Sequence, residues 1–128
     1  MITENYFEDL HFTECNIGEF SFSDKDLYVN IDSGLYIFGE HPLKGIIQPS
    51  DSCIAIFKNV IYSHRILALY SEDRKGFTGE KIVDKNIAQP SEGQNYKRFS
   101  IEGVSKNPPA WLTWDIDAAS FMLETISS

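Results

Sequence analysis

Long hydrophobic runs are missing from this sequence of 128 residues. No segment approaches the roughly 18 uncharged apolar residues that a membrane-spanning helix requires. The first nine residues include Glu4, Glu8 and Asp9, whereas a secretion signal would have a basic start followed by an apolar run. Cysteine is also scarce, and the pair Cys15 and Cys53 is more typical of two buried thiols than of a disulfide. These absences predict a cytoplasmic protein that does not bind membranes.

Recognisable catalytic motifs are absent as well. Nucleophilic catalysis needs a serine or cysteine beside an oriented base, and Cys53 with His41 or His64 is the one conceivable set. Cys53 lies in the apolar run 53–57, where loss of solvent would raise the thiol pKa and suppress its reactivity. The sequence has no Gly-x-Ser-x-Gly elbow and no glycine motif for phosphate binding. We therefore predict that the protein is not an enzyme.

The sequence also lacks clear metal-binding motifs. The three histidines are isolated from one another, and none belongs to a zinc-binding motif. The pairs Asp24-x-Asp26 and Asp115-x-Asp117 resemble the carboxylate pairs of calcium-binding β domains. However, Asp115 and Asp117 alternate with apolar residues, as the solvated face of a strand would. We expect no metal site and no cofactor.

Negative charge is abundant and unevenly placed. The formal net charge is -8, and residues 1–40 hold nine acids and one base, which is also a net of -8. Residues 71–98 hold five acids and six bases, a net of +1. Nucleic-acid and anionic-lipid partners are not expected, because both depend on cationic side chains. A basic protein is the natural partner, since opposite fields speed encounter, although solubility alone would also explain the charge.

The pattern of apolar residues is that of β-strands. Apolar and aromatic contents of 42% and 13% indicate a folded chain, and apolar residues alternate with polar ones in short runs such as residues 27–32. Turn residues separate these runs: residues 24–26 predict a turn, and Ser33-Gly34 predicts a hairpin whose second strand is residues 35–39. About seven strands predict an all-β or mostly β fold, an antiparallel β-sandwich or an open barrel.

One polar segment interrupts this pattern. Residues 71–98 contain several glycines and a proline and predict a long polar loop inside a single β-rich domain of residues 1–128. A short element at residues 81–83 would interrupt the loop.

The end of the chain has two interpretations. Leu112, Trp114 and Ile116 share one face of a strand, whereas Phe121 has the opposite parity. A strand here requires a bulge, or a passage between sheets, near Ala118. A short helix over residues 117–126 is the alternative. In either case Trp114 belongs to the alternating run, and we expect it to be buried.

Acidic and aromatic side chains are the candidates for partner binding. Outward-facing aromatic rings beside carboxylates are suitable anchors for arginine and lysine, although packing in the core is the commoner role of tyrosine. The predicted partner-binding residues are Glu8, Asp9, Glu14, Glu19, Asp24, Asp26, Asp32, Tyr28 and Tyr36.

In its length, acidic excess, lack of a secretion signal and lack of catalytic motifs, the chain resembles the small immunity proteins with which bacteria neutralise toxins of contact-dependent and polymorphic systems. These families share no single fold, so the resemblance assigns no functional residue. It implies a cytoplasmic inhibitor, a monomer or homodimer, that blocks the active site of a basic toxin, often a nuclease. Two alternatives stay open: a ligand- or calcium-binding β-sandwich module, and a small hydrolase that uses Asp115, Asp117 or His64.

Overall fold

A computed structural model describes residues 2–71, 73 and 75–126. Within them, the secondary structure consists of nine strands and one short 3-10 helix, Phe7–Asp9. The strands are β1 (Ile2–Glu4), β2 (Leu10–His11), β3 (Asn16–Ser23), β4 (Asp26–Ser33), β5 (Tyr36–Ile37), β6 (Cys53–Tyr70), β7 (Phe77–Ile87), β8 (Lys97–Lys106) and β9 (Pro109–Thr125). The predicted mostly β fold is confirmed.

Five of these strands close into a ring. Strand β3 pairs with β4, β4 with the first residues of β6, β6 with β9, and β9 with β8, all in antiparallel orientation. A parallel contact between β8 and β3 closes the ring through only two residue pairs, Asn16 with Val104 and Ile17 with Ser105. Strands β1 and β7 form the two ends of the seven-stranded sheet, while β2 and β5 form a separate small sheet.

The alternation in the sequence decides which side chains enter the core. Leu27, Val29 and Ile31 of β4 are fully buried, whereas Asn30 and Asp32, which point to the other face, are exposed. The turn predicted at residues 24–26 is confirmed, because it joins β3 to β4 in a hairpin.

Phenylalanine rings form the aromatic centre of the core. The ring of Phe7, from the 3-10 helix, lies 5.5 Å from that of Phe12, 5.0 Å from Phe99 and 5.1 Å from Phe121. Burial of one such side chain contributes about 1.5–3 kcal/mol. These contacts hold the 3-10 helix against the sheet.

Strands β6 and β9 are the longest in the fold, with 18 and 17 residues. Their register shifts between Val60 and Tyr62, so Ile61 is the extra residue of a bulge. Near this point on β9, the buried positions change parity between Ala118 and Phe121. The predicted change of face near Ala118 is therefore confirmed, with the bulge on the neighbouring strand.

The end of the chain is a strand and not the alternative helix. Strand β9 continues to Thr125 and pairs with β6 throughout. Beyond Ala118, β9 no longer pairs with β8 and instead pairs with β1 through Met122 and its neighbours. The first part of β9 therefore lies between β6 and β8, and its last residues lie between β6 and β1.

Two local predictions are wrong. Residues 71–98 are not one long loop, because β7 pairs with β6 through seven consecutive residues from Lys81 to Ile87. Almost every side chain of β7 is exposed on both faces, so the strand lacks the alternation that marks the others. The predicted hairpin at Ser33-Gly34 is also absent: β5 pairs with β2, and the amide of Gly34 donates to the carbonyl of Pro49 at 2.6 Å.

Candidate partner-binding groove

An open groove of about 700 Å³ lies where β3 separates from β8. Pairing between these strands stops after Ile17, and the gap between them forms the groove. The groove has an apolar floor of Ile17, Phe20, Leu67 and Leu112. A volume of this size is in the range that ligand and side-chain binding sites occupy.

The rim of the groove is charged. Glu19 and Asp32 stand on the side of β3 and β4, and Lys106 stands at the end of β8 beside Asn107. Among the described residues, neither Glu19 nor Asp32 forms an ion pair. The rim therefore has two carboxylates and one ammonium group, with a surplus of one negative charge.

Two irregularities in the β3–β4 hairpin bring these carboxylates to the rim. Gly18 and Glu19 together oppose Asn30, and Asp32 is an extra residue between two successive pairs. The carboxylate of Asp32 lies directly over Gly18, because a Cβ atom there would be only 2.7 Å from Asp32 Oδ1. The absence of a side chain at Gly18 therefore permits this position of the Asp32 carboxylate.

Arg65 of β6 supplies a cation at the floor of the groove. Its guanidinium carbon lies 4.4 Å from the centre of the Phe20 ring and 5.5 Å from that of Trp114. Its Nε donates to Asp84 Oδ2 of β7 at 3.0 Å. Because Asp84 neutralises it, Arg65 serves mainly to tie β7 and β6 to β3, and Glu19 and Asp32 keep their charge unmatched.

Three of the other predicted residues lie near the β3–β4 turn. Asp26 forms an ion pair of 2.5 Å with Lys58 and accepts the backbone N–H of Asn59 at 3.0 Å. Burial raises the pKa of the Asp26 carboxyl, but these hydrogen bonds outweigh it and lower the pKa below 3.8. Asp26 therefore has its cation within the molecule. Asp24 lines a smaller depression of about 330 Å³ beside the end of β7, and Tyr28 is half-buried on β4.

The remaining predicted residues lie around the small β2–β5 sheet. Glu14 and Tyr36 line a shallow depression together with His11 and Phe38. Glu8 and Asp9 belong to the neighbouring 3-10 helix, and the carbonyl of Asp9 accepts the N–H of Phe38. The nine predicted residues thus divide among three regions, and only Glu19 and Asp32 meet at the groove.

The hydrolase candidates lie on an open sheet face and not in a cleft. His64 and Asp115 are direct neighbours across β6 and β9. Asp115 accepts a hydrogen bond of 2.7 Å from Ser100, and Asp117 is paired with Arg98. In the part of the chain that the structure describes, no group of three or more His, Cys, Asp or Glu side chains is placed to hold a metal ion.

The two cysteines are fully buried free thiols. Burial raises the pKa of Cys15 to about 12, with a further contribution from Cys53. Burial likewise raises the pKa of Cys53 to about 12, and the charge of Asp51 adds to it. Because the thiolate is the nucleophile, neither thiol is reactive near neutral pH.

Sequence reasoning missed most of the groove. Phe20 was recognisable only as part of an alternating strand, and Lys106 only as a polar residue before a turn. Arg65 offered one signal, because it lies between two apolar runs, residues 53–57 and 66–70. A cation in such a place needs a partner, and the partner Asp84 lies in the segment predicted as loop.

No protein-family model, no curated protein and no solved structure matches this chain. Among the residues described, no helix has the length and apolar character to cross a membrane.

Proposed function

We propose that this protein is a non-enzymatic acidic binding protein that neutralises a basic partner protein, in the manner of a toxin-immunity protein. The observation that carries the proposal is the pair of carboxylates, Glu19 and Asp32, at the rim of the groove. Among the described residues, neither forms an ion pair. The acidic excess of residues 1–40 supports it, because the surrounding field attracts cations.

A basic side chain of the partner fits the chemistry of the groove. Arginine and lysine have apolar stems and charged ends, so the stem packs on the half-buried Phe20 and Pro108 while the charged end meets Glu19 and Asp32. Arginine suits this place better than lysine, since its planar guanidinium forms paired hydrogen bonds with carboxylates.

Calorimetric titration with an acetylated tetra-arginine amide tests the proposal. The groove variant Glu19→Gln/Asp32→Asn is compared with Glu8→Gln/Glu14→Gln, which loses the same charge outside the groove. At low salt we expect the groove variant to bind at least about tenfold more weakly than wild type, which corresponds to ~1.4 kcal/mol. We expect the control to lose much less. Equal losses in both variants, or no binding of the peptide to wild type, would contradict the proposal.

The immunity role has a separate test. If the gene beside this one encodes a basic protein, that protein should co-purify with this chain as a stoichiometric complex. Association should slow as salt rises, because screening weakens electrostatic steering. A basic neighbour that fails to bind at low salt would remove the immunity role and leave binding through the groove as a property of its own.

A small-molecule binding module is the second candidate, and the volume of the groove favours it. Calorimetry with calcium, sugars and lipids examines this candidate directly. A saturable signal that Glu19→Gln/Asp32→Asn abolishes would favour it over the protein partner.

A further inference from the structure

The sheet formed by β7, β6, β9 and β8 has an uncovered outer face. Inward-facing residues such as Ser63, Leu67 and Trp114 are buried, whereas none of the outward-facing described residues is buried in β7, β8, residues 62–70 of β6 or residues 109–117 of β9. This outer face lies on the side of the sheet opposite Arg65 and the floor of the groove. The outer face is therefore a surface separate from the groove.

Apolar side chains are concentrated along one margin of the outer face. Phe77, Val83 and Ile87 of β7 are 61%, 55% and 71% exposed. Val83 pairs across the strands with Ile66, and the ring of Phe77 stacks on that of Tyr70 at 4.6 Å. Exposed apolar residues on a long edge strand are a hazard unless something covers them.

Charges of opposite sign stand on the two margins of the outer face, together with Arg98 of β8, whose charge Asp117 of β9 neutralises. Lys81 and Lys85 project from β7 at one margin, where they are the cross-strand neighbours of Ala68 and His64 on β6. Glu102 projects from β8 at the other margin and is exposed. Among the described residues, none of these three side chains forms an ion pair.

We propose that a second copy of this chain covers the outer face, related by a two-fold axis parallel to the strands. Such an axis reverses the strand order between facing sheets, so β7 of one copy lies over β8 of the other and β6 lies over β9. Lys81 and Lys85 then flank Glu102 of the second copy, twice by symmetry. Ile66 of both copies lies beside the axis. The face is thus complementary to itself, as a two-fold interface requires, and sheets commonly pack face to face in this way.

A charge-swap experiment tests this interface. Sedimentation equilibrium is measured for wild type, for Lys81→Glu/Lys85→Glu and for Glu102→Lys. The salt concentration is about 150 mM, so that the long-range repulsion between two acidic copies is screened. Wild type should show a concentration-dependent dimer, and each variant alone should dimerise at least about tenfold more weakly. An equimolar mixture of the two variants should recover the dimer, because every carboxylate on β7 then faces an ammonium group on β8.

The control is Lys44→Glu, which reverses one lysine at an exposed position outside the four strands of the outer face. It should dimerise as wild type does. Urea unfolding of each variant verifies that it is folded. A wild type that stays monomeric up to about 0.5 mM would overturn the proposal, since that concentration detects even weak association. So would a dimer that the swaps leave unchanged, because its interface would lie elsewhere.

Discussion

The indole Nε1 of Trp114 donates a hydrogen bond of 2.7 Å to Ser63 Oγ, and both residues are buried. The bond joins β9 to β6. The ring of Phe20 packs edge-on against the same indole at 4.9 Å, so Trp114 supports the strand that carries the groove. The expectation from sequence that Trp114 is buried is confirmed.

Trp114→Ala should reduce the free energy of unfolding by about 3–5 kcal/mol, because it removes a large buried ring and leaves a cavity. Ser63→Ala should cost about 1–3 kcal/mol, since the buried indole N–H loses its acceptor. Urea denaturation followed by circular dichroism measures both changes. Trp111→Ala, at a half-buried position on the outer face, is the control and should cost less than Trp114→Ala. A loss below about 1 kcal/mol for Trp114→Ala would be incompatible with its place in the core.

His41 should make stability depend on pH. The imidazole is buried, and its Nδ1 accepts the N–H of Leu43 at 3.0 Å, so the proton of the neutral ring is on Nε2. Burial lowers the pKa of His41 below 6.5, and the charge of Asp9 opposes this only in part. The unfolded chain therefore binds the proton more readily. Stability is complete above pH 6.5 and declines as the pH falls through 6.5 towards the lower pKa of the folded state.

The His41→Asn variant isolates this effect, because an asparagine oxygen can accept the N–H of Leu43 without titrating. Unfolding free energies of both proteins are measured between about pH 7.5 and pH 5, and their difference removes the contribution of the carboxyl groups. Wild type should lose stability relative to the variant as the pH falls, by at most about 1.4 kcal/mol per pH unit. Parallel curves would show that His41 binds a proton equally well in both states.

Two glycines with similar backbones should respond differently to alanine. Gly34 and Gly45 have φ of 88° and 82°, a region that costs other residues about 1–2 kcal/mol. A Cβ atom at Gly34 would be 2.3 Å from the carbonyl oxygen of Glu14, whereas nothing lies within 4 Å at Gly45. Gly34→Ala should therefore cost about 1–3 kcal/mol more than Gly45→Ala, because backbone cannot move aside cheaply. Equal losses in thermal or urea unfolding would mean that the Glu14 carbonyl is not held in place.

The fold was predictable where buried and exposed residues alternate in the sequence. Residues 27–32 alternate because one face of β4 enters the core, and the parity change after Ala118 predicted a bulge or a passage between sheets. Strand β7 was not predictable in this way, because backbone pairing holds it at an edge where few side chains are buried. The pairing of residues 36–37 was also predicted wrongly. These residues pair with β2, because the amide of Gly34 bonds to Pro49 and does not close a hairpin.

The candidate site was predictable only in part, because it depends on contacts between distant segments. Glu19 and Asp32 were among the acids named from sequence, but so was Asp26, which Lys58 neutralises from another strand. The ion pair of Arg65 with Asp84 joins residues 19 positions apart. No local sequence pattern distinguishes a carboxylate that forms an ion pair in the folded protein from one that does not.

Mapping the bound peptide by ¹H–¹⁵N correlation spectra tests the central claim most directly. On titration with acetylated tetra-arginine amide, the largest shift changes should occur at the backbone amides of Gly18, Glu19 and Asn107, which border the groove. Changes concentrated at Glu14 and Tyr36, or spread evenly over the acidic residues, would contradict the claim that the groove is where this protein captures cations.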